Sequence, residues 1–401
     1  MINFLKSLFG SSIPSTRKYE AQLNEIEQAY AHFCEFESSE EYKRYLKLKE
    51  QTSSPDFTKK LNELKRLSYK GSPEWSAEKK YNRLKKSKDV KKYLKAGEGE
   101  TSPYVKEYLA LKSQLSTEEF IQRKNYLSDK NRYKLSDEYQ KLEEYQHLSK
   151  SKVVTDYAKL KKRYEKVFAE RNSWDISFQE NFTHSPFSKQ WSTTPYWSEA
   201  FLKQTYAQAN EKQLPTDGPN LEAQGGLLSI VTRKEEANGL AWDSKLGFVP
   251  KTFSYTSGIV NTSKTFRQQY GRFVAKVKMS KAKNVYHAFW MGAEKMLPHI
   301  TIFKVENGKM QAAVYTEANK VEKQLSYKIN EDFYIFELIW NQATGLSWLI
   351  NGKKVYNTAI NPDIPMYLAF SSGVTEEVAN HHLPQHLSIE WVICYQKNSA
   401  T

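Results

Sequence analysis

The chain changes character at Asn172-Ser173-Trp174. Before that point one tryptophan (Trp75) and four glycines stand among Lys, Glu, Leu and Tyr, residues that favour helix. After it come eight tryptophans and twelve glycines, with Thr, Val, Ile and aromatics alternating between Gly and Asn turns. That is the pattern of short strands in a half-buried sheet. One fold class cannot serve both patterns. The 401 residues therefore divide into a helical region, 1–172, and an all-β domain, 173–401.

In the first region, residues 15–36 form an amphipathic helix, with Tyr19, Leu23, Ile26, Tyr30 and Phe33 at helical spacing. A short unit then recurs: Ser39-Glu-Glu-Tyr42, Ser54-Pro-Asp-Phe57, Ser72-Pro-Glu-Trp75, Ser87-Lys-Asp-Val90, Ser102-Pro-Tyr104, Ser116-Thr-Glu-Glu-Phe120, Ser136-Asp-Glu-Tyr139 and Ser151-Lys-Val-Val154. Each Ser is placed to cap a helix N-terminus, with Pro or acids in the first turn beside the orphan amides. Spacings alternate around 15 and 18 residues, so paired units recur near 33 residues, which suggests stacked helical hairpins. The competing arrangement is an elongated stalk or coiled coil of longer helices kinked at each Pro. The stripes Tyr42, Tyr45, Leu46; Tyr93, Leu94; and Tyr104, Tyr108, Leu111 read as core.

The second region carries an ordered series of strand motifs. Asp175 to Phe182 followed by Trp191 opens it. Asn220 to Arg233 forms a hairpin turning at Gly225-Gly226. Tyr255-Thr-Ser-Gly-Ile-Val-Asn-Thr and Tyr270-Gly-Arg-Phe-Val-Ala-Lys-Val-Lys-Met follow, then Tyr286 to Lys304, reading YHAFWMGAEKMLPHITIFK. Phe333 to Trp340, Leu346 to Val355 with its Asn351-Gly352 turn, Pro365 to Phe370, and Leu387 to Gln396 complete the set. Taken in order, these resemble glycoside hydrolase family 16, the laminarinase and β-glucanase group, across residues 175–397. The resemblance implies a concanavalin A-like jelly roll whose concave sheet forms a glycan cleft. The alternation of strands independently calls for an all-β sandwich.

The family's catalytic strand reads E-x-D-x-x-E. Here the matching residues are His299, Thr301 and Lys304, and all three carboxylates are absent. A retaining glycosidase needs two carboxyl groups about 5 Å apart. Alternation puts His299, Thr301 and also Phe303 towards the groove. The family's extra residue before its last Glu is a bulge, and that last position is Lys304 here. Glu294 and Glu306 are the acidic residues near enough for a shifted register.

The resemblance further implies that Trp290, beside Phe289, lines the cleft as a sugar platform; filling the core is the competing role. Tyr286, His287 and Tyr315 are further candidates beside a structural role. Trp242 could wall the cleft, and His299 and Thr301 could hydrogen-bond hydroxyls. His381, His382 and His386 cluster in a late loop, at a spacing poor for zinc. No catalytic metal or cofactor is expected. Some family members hold a structural calcium, and its carboxylate near the closing strand corresponds to Glu390.

Net charge is +14, of which residues 1–170 carry +10, from 36 Lys and Arg against 26 Asp and Glu. That favours an acidic or protein partner for the helical region, or else a solvated mixed-charge surface. The Lys85-Lys86-Ser-Lys88 edge and the run Lys159 to Arg163 are its densest basic edges. Cys34 and Cys394 form no disulfide framework and fit a reducing compartment. The opening MINFLKSLFGSSIPS lacks a secretory h-region and reads as a docking or frayed terminus, with an amphipathic anchor as the competing role. No run is long enough for a transmembrane segment. The expected setting is cytoplasmic, or within a virion or other assembly.

Three functions follow from these residues. The first is a non-catalytic, carbohydrate-binding pseudoenzyme that takes a polysaccharide or oligosaccharide and is carried on a helical arm for tethering or assembly. The second is a structural protein whose jelly roll binds protein. The third is an active hydrolase with a relocated carboxylate pair. A cluster of exposed aromatics in the cleft favours sugar; a cleft filled by its own side chains favours scaffolding.

Overall fold

A computed structural model describes residues 12–96, 102–183, 189–201, 204–327 and 330–398. Most of the opening MINFLKSLFGSSIPS, residues 1–11, lies outside the described residues. The chain forms two compact units, one of residues 28–163 and one of residues 1–27 with 164–401. Secondary structure changes type where composition does, between Asn172 and Trp174. Compactness divides differently, because residues before 28 and after 163 belong with the β sandwich.

The helices are α1 (Thr16–Ser38), α2 (Glu40–Ser53), α3 (Pro55–Arg66), α4 (Pro73–Leu84), α5 (Lys88–Ala96), α6 (Pro103–Leu115), α7 (Glu118–Ser128), α8 (Asp137–Lys150), α9 (Lys152–Asn172) and the short α10 (Tyr196–Phe201). The caps form largely as the sequence calls for. Ser39, Ser54, Ser72 and Ser136 accept hydrogen bonds from the backbone N–H groups of Tyr42, Phe57, Trp75 and Tyr139 at 3.1–3.3 Å. Two expected caps differ. Thr117, not Ser116, caps α7, and the Ser102 hydroxyl donates to Asp89 instead of capping α6.

Stacked hairpins repeating near 33 residues do not form. Instead α2 packs on α8, α4 on α6 and α7, and α5 on α6, so the chain runs out through α2–α5 and returns antiparallel through α6–α8. Tyr45 stacks on Tyr145 with ring centroids 5.8 Å apart, and Tyr81 on Tyr108 at 5.0 Å. Of the stripes expected in the core, Tyr108 is buried, whereas Leu46, Leu94 and Tyr104 are exposed, because a two-layer helix pairing buries one face only.

The strands of the sandwich are β1 (Trp174–Glu180), β2 (Ala207–Gln208), β3 (Gln213–Pro215), β4 (Leu221–Gln224), β5 (Leu227–Asp243) and β6 (Gly247–Ser257). Next come β7 (Ile259–Asn261), β8 (Gly271–Met279), β9 (Val285–Gly292), β10 (His299–Glu306), β11 (Lys309–Tyr315) and β12 (Lys320–Leu325). The last are β13 (Phe333–Asn341), β14 (Gly345–Ile350), β15 (Lys353–Thr358), β16 (Tyr367–Val374) and β17 (Gln385–Lys397). One sheet has the order β12-β11-β10-β9-β16-β7. The larger sheet runs β15-β14-β13-β8-β17-β5-β6-β3, with β1, β2 and β4 as side strands. Between the two sheets lies one core that includes Phe273, Phe289, Phe336, Trp340, Trp348 and Phe370. Both forecast hairpin turns occur, with positive φ at Gly225, Gly226, Asn351 and Gly352.

Residues 14–19 pack on the outer face of the larger sheet. Asn351 donates to Pro14 O at 2.9 Å and to Thr16 Oγ1 at 3.1 Å. Tyr19 lies over Gly352, where a Cβ would come within 2.6 Å of its ring. Beneath it, Arg272 and Glu337 form a buried ion pair at 2.7 Å. Burial, reinforced by the Glu337 charge, pushes the Tyr19 hydroxyl pKa well up.

Candidate functional site

Strand β10 presents the candidate positions through a bulge. Against β9 the register runs His299↔Gly292, Ile300↔Met291 and Thr301↔Trp290, then shifts before Phe303↔Phe289 and Lys304↔Ala288. Two successive residues, Ile302 and Phe303, therefore both point into the core. Phe303 does not face the groove; it packs on Phe336 with ring centroids 4.5 Å apart. The shift brings Lys304 onto the face that carries His299 and Thr301, where strict alternation would have placed Phe303. The same outer face carries Trp290, Tyr286 and Tyr367.

His299 is wedged among rings. Its centroid is 5.0 Å from that of Trp290, at 30°, and 5.8 Å from that of Tyr315. Its Nε2 is 3.2 Å from Thr301 Oγ1. Burial pushes its pKa down to about 4, so the imidazole is neutral at physiological pH and can exchange hydrogen bonds but carries no charge. Trp290 donates from its indole N–H to Ser371 Oγ at 3.0 Å. Gly292 lets Trp290 and Tyr367 close up, since a Cβ there would lie 2.8 Å from the Tyr367 ring and 2.9 Å from the Trp290 ring.

Further along the strand the face is charged but paired. Lys304 Nζ is 2.7 Å from Glu306 Oε2 and stands over the Tyr286 ring, 5.0 Å from its centroid. Burial works to raise the Glu306 pKa, but Lys304 and the Thr375 hydroxyl hold it below the ordinary value. The Tyr315 hydroxyl donates to Glu322 at 2.6 Å. Glu211 accepts from Gln208 N at 2.6 Å and from Gln213 Nε2 at 3.3 Å, and Gln213 Nε2 in turn reaches the Tyr286 hydroxyl at 3.5 Å. Burial raises the Glu211 pKa against the pull of the Gln208 N–H and Lys251. Glu294 pairs with Arg267 at 3.3 Å.

At the His299 end the face opens into a cleft of about 500 Å³. Trp290, His299 and Tyr367 lie among its lining residues, with Tyr196, Trp197, Tyr206, Trp242 and Phe248. Trp242 is 40% exposed and packs edge-on against Phe248, centroids 4.8 Å apart. Of the residues singled out in the sequence, Trp290, His299 and Trp242 come together in this cleft. Tyr286, Thr301 and Tyr315 adjoin it without lining it. The sequence reading missed Tyr196 and Trp197 on α10, Tyr206 just before β2, Phe248 at the start of β6, and Tyr367 on β16. Tyr367 was discoverable, because it alternates with the core residues Met366 and Leu368.

The other candidates have separate roles. His287 is fully buried, with Nε2 2.6 Å from Ser280 Oγ and Nδ1 2.9 Å from Ser372 Oγ. Burial, assisted by His386, lowers its pKa to about 3. The His381 and His382 rings lie tilted at 46° to one another with centroids 4.0 Å apart. Among the described residues no three His, Cys, Asp or Glu side chains gather as a metal site. At Glu390, the position suggested for calcium, the carboxylate binds Lys276 Nζ at 2.9 Å, and the same ammonium binds Glu20 at 2.7 Å. An ammonium between two carboxylates leaves no place for a calcium ion there, so the residues do not fit one. No helix among the described residues is long and apolar enough to cross a membrane.

Residues 218–392 match the family model described as glycosyl hydrolases family 16. The clotting factor G alpha subunit of Tachypleus tridentatus is 21% identical over 209 residues, covering 45% of this chain. The match spans only 29% of that protein's length. Among solved structures, the laminarinase catalytic domain of Thermotoga maritima is 18% identical with a TM-score of 0.46, covering 57% of this chain and all of that one. The endo-β-1,3-glucanase of Pyrococcus furiosus is 20% identical with a TM-score of 0.46, covering 57% of this chain and 96% of that one.

Proposed function

With a glycoside hydrolase family 16 sequence in its β domain as premise, we propose that this chain binds a carbohydrate in the aromatic cleft without hydrolysing it. The observation that carries this reading is the face of β10. The bulge presents His299, Thr301 and Lys304 together, a neutral imidazole, a hydroxyl and an ammonium already paired with Glu306. None supplies a carboxylate, and cleavage with retention needs two. The cleft itself is open and not filled by its own side chains, which favours a ligand over scaffolding by protein contacts. Aromatic faces bury the apolar C–H surface of a sugar ring, and His299, which lines the cleft with Thr301 behind it, can exchange hydrogen bonds with hydroxyls. The helical unit serves as an arm for tethering or assembly.

Calorimetry of the full chain against β-glucan and galactan oligosaccharides, with reducing-end release measured in parallel, tests this. Binding without release supports it; no binding to any glycan removes it.

A second reading, an active hydrolase, draws on Glu211 and Glu306. Their charges both act on Tyr286, one carboxyl is raised in pKa and the other lowered, and such a split is how an acid and a nucleophile are told apart. Sugar release that is abolished in both Glu211→Gln and Glu306→Gln would establish this reading over the first.

A further inference from the structure

The sheet face that carries the cleft changes chemistry along its strands. Side chains directly opposite one another on paired strands share a face, so the register sets the order. Across β10–β11, His299 is opposite Tyr315, Lys304 opposite Gln311 and Glu306 opposite Lys309; across β11–β12, Gln311 is opposite Gln324. Towards Glu306 the side chains of Lys304, Lys309, Gln311, Glu322 and Gln324 line a polar groove of about 420 Å³. Towards His299 the same face ends in the aromatic cleft. Seven of the fourteen described residues that line the cleft are Tyr, Trp or Phe. An eighth large apolar side chain, Met296, lines it from the turn between β9 and β10 and is 86% exposed. Its apolar surface is offered to an occupant and not spent in the core.

A sugar ring asks for both kinds of surface in unequal parts. An aromatic side chain or two covers its C–H faces, and its rim of hydroxyls needs polar partners. The polar groove supplies such partners. Seven rings and a methionine supply continuous apolar surface, more than one sugar ring can cover. Further sugar rings would bring further hydroxyls against it, at the cost of desolvating them. An apolar group joined to the sugar brings none. Met296 suits a chain in particular, because its flexible thioether repacks around an irregular apolar neighbour.

We infer that the ligand of this face is a glycoside with an apolar alkyl aglycone. The sugar lies at the His299 end of the cleft, its hydroxyls towards Thr301 and the polar groove, and the aglycone lies along the rest of the cleft against Phe248 and Met296. His299 stands where the two zones meet, stacked on Trp290 at 5.0 Å and with its Nε2 3.2 Å from Thr301 Oγ1, so it faces the bond that joins sugar to aglycone. This rests on the reading that the chain binds carbohydrate here, and it names the class of carbohydrate.

The test is calorimetry of the full chain with hexyl and octyl β-glucosides and β-galactosides below their critical micelle concentrations, beside the unsubstituted oligosaccharides. The octyl glycoside should bind on the order of tenfold tighter than the hexyl, the increment that two buried methylenes give. Met296→Ser should weaken the octyl glycoside about fivefold and leave the oligosaccharide within about twofold. The double variant Q311A/Q324A should weaken both glycosides alike and preserve their ratio. Met296 and Gln324 are exposed and Gln311 is half-buried, and circular dichroism checks that the variants stay folded. Octyl tetraethylene glycol, the same chain without the sugar, should bind roughly tenfold more weakly than the octyl glycoside. Equal affinity for hexyl and octyl glycosides, with oligosaccharides still bound, overturns this inference and leaves the carbohydrate reading standing. Octyl tetraethylene glycol bound as tightly as the octyl glycoside also overturns it, because the cleft then takes any apolar chain. No binding of any glycoside or oligosaccharide overturns both.

Discussion

Trp290 and His299 lie stacked across the β9–β10 ladder, ring centroids 5.0 Å apart at an interplanar angle of 30°. The imidazole therefore serves the cleft as an aromatic surface with one hydrogen-bonding edge, and burial keeps it neutral. Glycan affinity should accordingly stay constant within twofold between pH 5.5 and 8. Calorimetry at the two limits checks this. An affinity that titrates with a midpoint near the ordinary histidine value of about 6.5 would contradict the assignment.

Trp242 and Trp290 should separate binding from stability. Trp242 stands exposed at the cleft wall, so Trp242→Ala should weaken glycan binding by tenfold or more and leave the melting temperature within about 2 °C. Trp290 is packed and hydrogen-bonded, so Trp290→Ala should also cost about 3 kcal/mol of stability. Thermal melts beside the calorimetry distinguish the two.

His287 should give the fold an acid limit. Its folded pKa of about 3 lies below its ordinary value of about 6.5, so the unfolded chain binds the extra proton between those limits. Stability is then fully present above about pH 6.5 and falls by about 1.4 kcal/mol per pH unit below it, until the folded pKa is reached. Urea unfolding from pH 7 to 4 measures the slope. His287→Asn should flatten it.

The ion pair under Tyr19 predicts a large single-residue effect. Removing one partner leaves the other charge buried, so Glu337→Ala should destabilise the β unit by about 3–5 kcal/mol. Replacing both, with Arg272→Met and Glu337→Leu, should restore much of that loss. Urea midpoints of the two variants decide it.

Lys276 holds Glu20 and Glu390 together as a cation. Chelation with EGTA should leave the melting temperature unchanged. Lys276→Ser leaves two facing carboxylates and should make stability respond to added calcium, which differential scanning calorimetry with and without calcium would reveal.

What could be read from the residues was whatever is encoded locally. Most of the serine caps and the Asn351-Gly352 turn depend on neighbours in sequence, and they stand where they were read. The placement of Phe303 depends on the bulge, which exists only because β10 pairs with β9 and β11 in shifted register. The pairing of α2 with α8 closes a loop of about a hundred residues with no local marker, and the caps alone fit stacked hairpins equally well. Three of the cleft's missed aromatics, Tyr196, Trp197 and Tyr206, stand on the short helix α10 and just before β2, where no strand periodicity marks which side chain points inward.

The β unit contains both the start of the chain, through Glu27, and everything from Tyr164 onward. The helical unit is therefore a closed excursion, held at its root on both sides. A protease cutting once between α5 and α6 would yield two polypeptides that stay together, the shorter one retained through Tyr19, Glu20 and the Asn351 contacts. The helical unit can be severed in the covalent sense and still not be released.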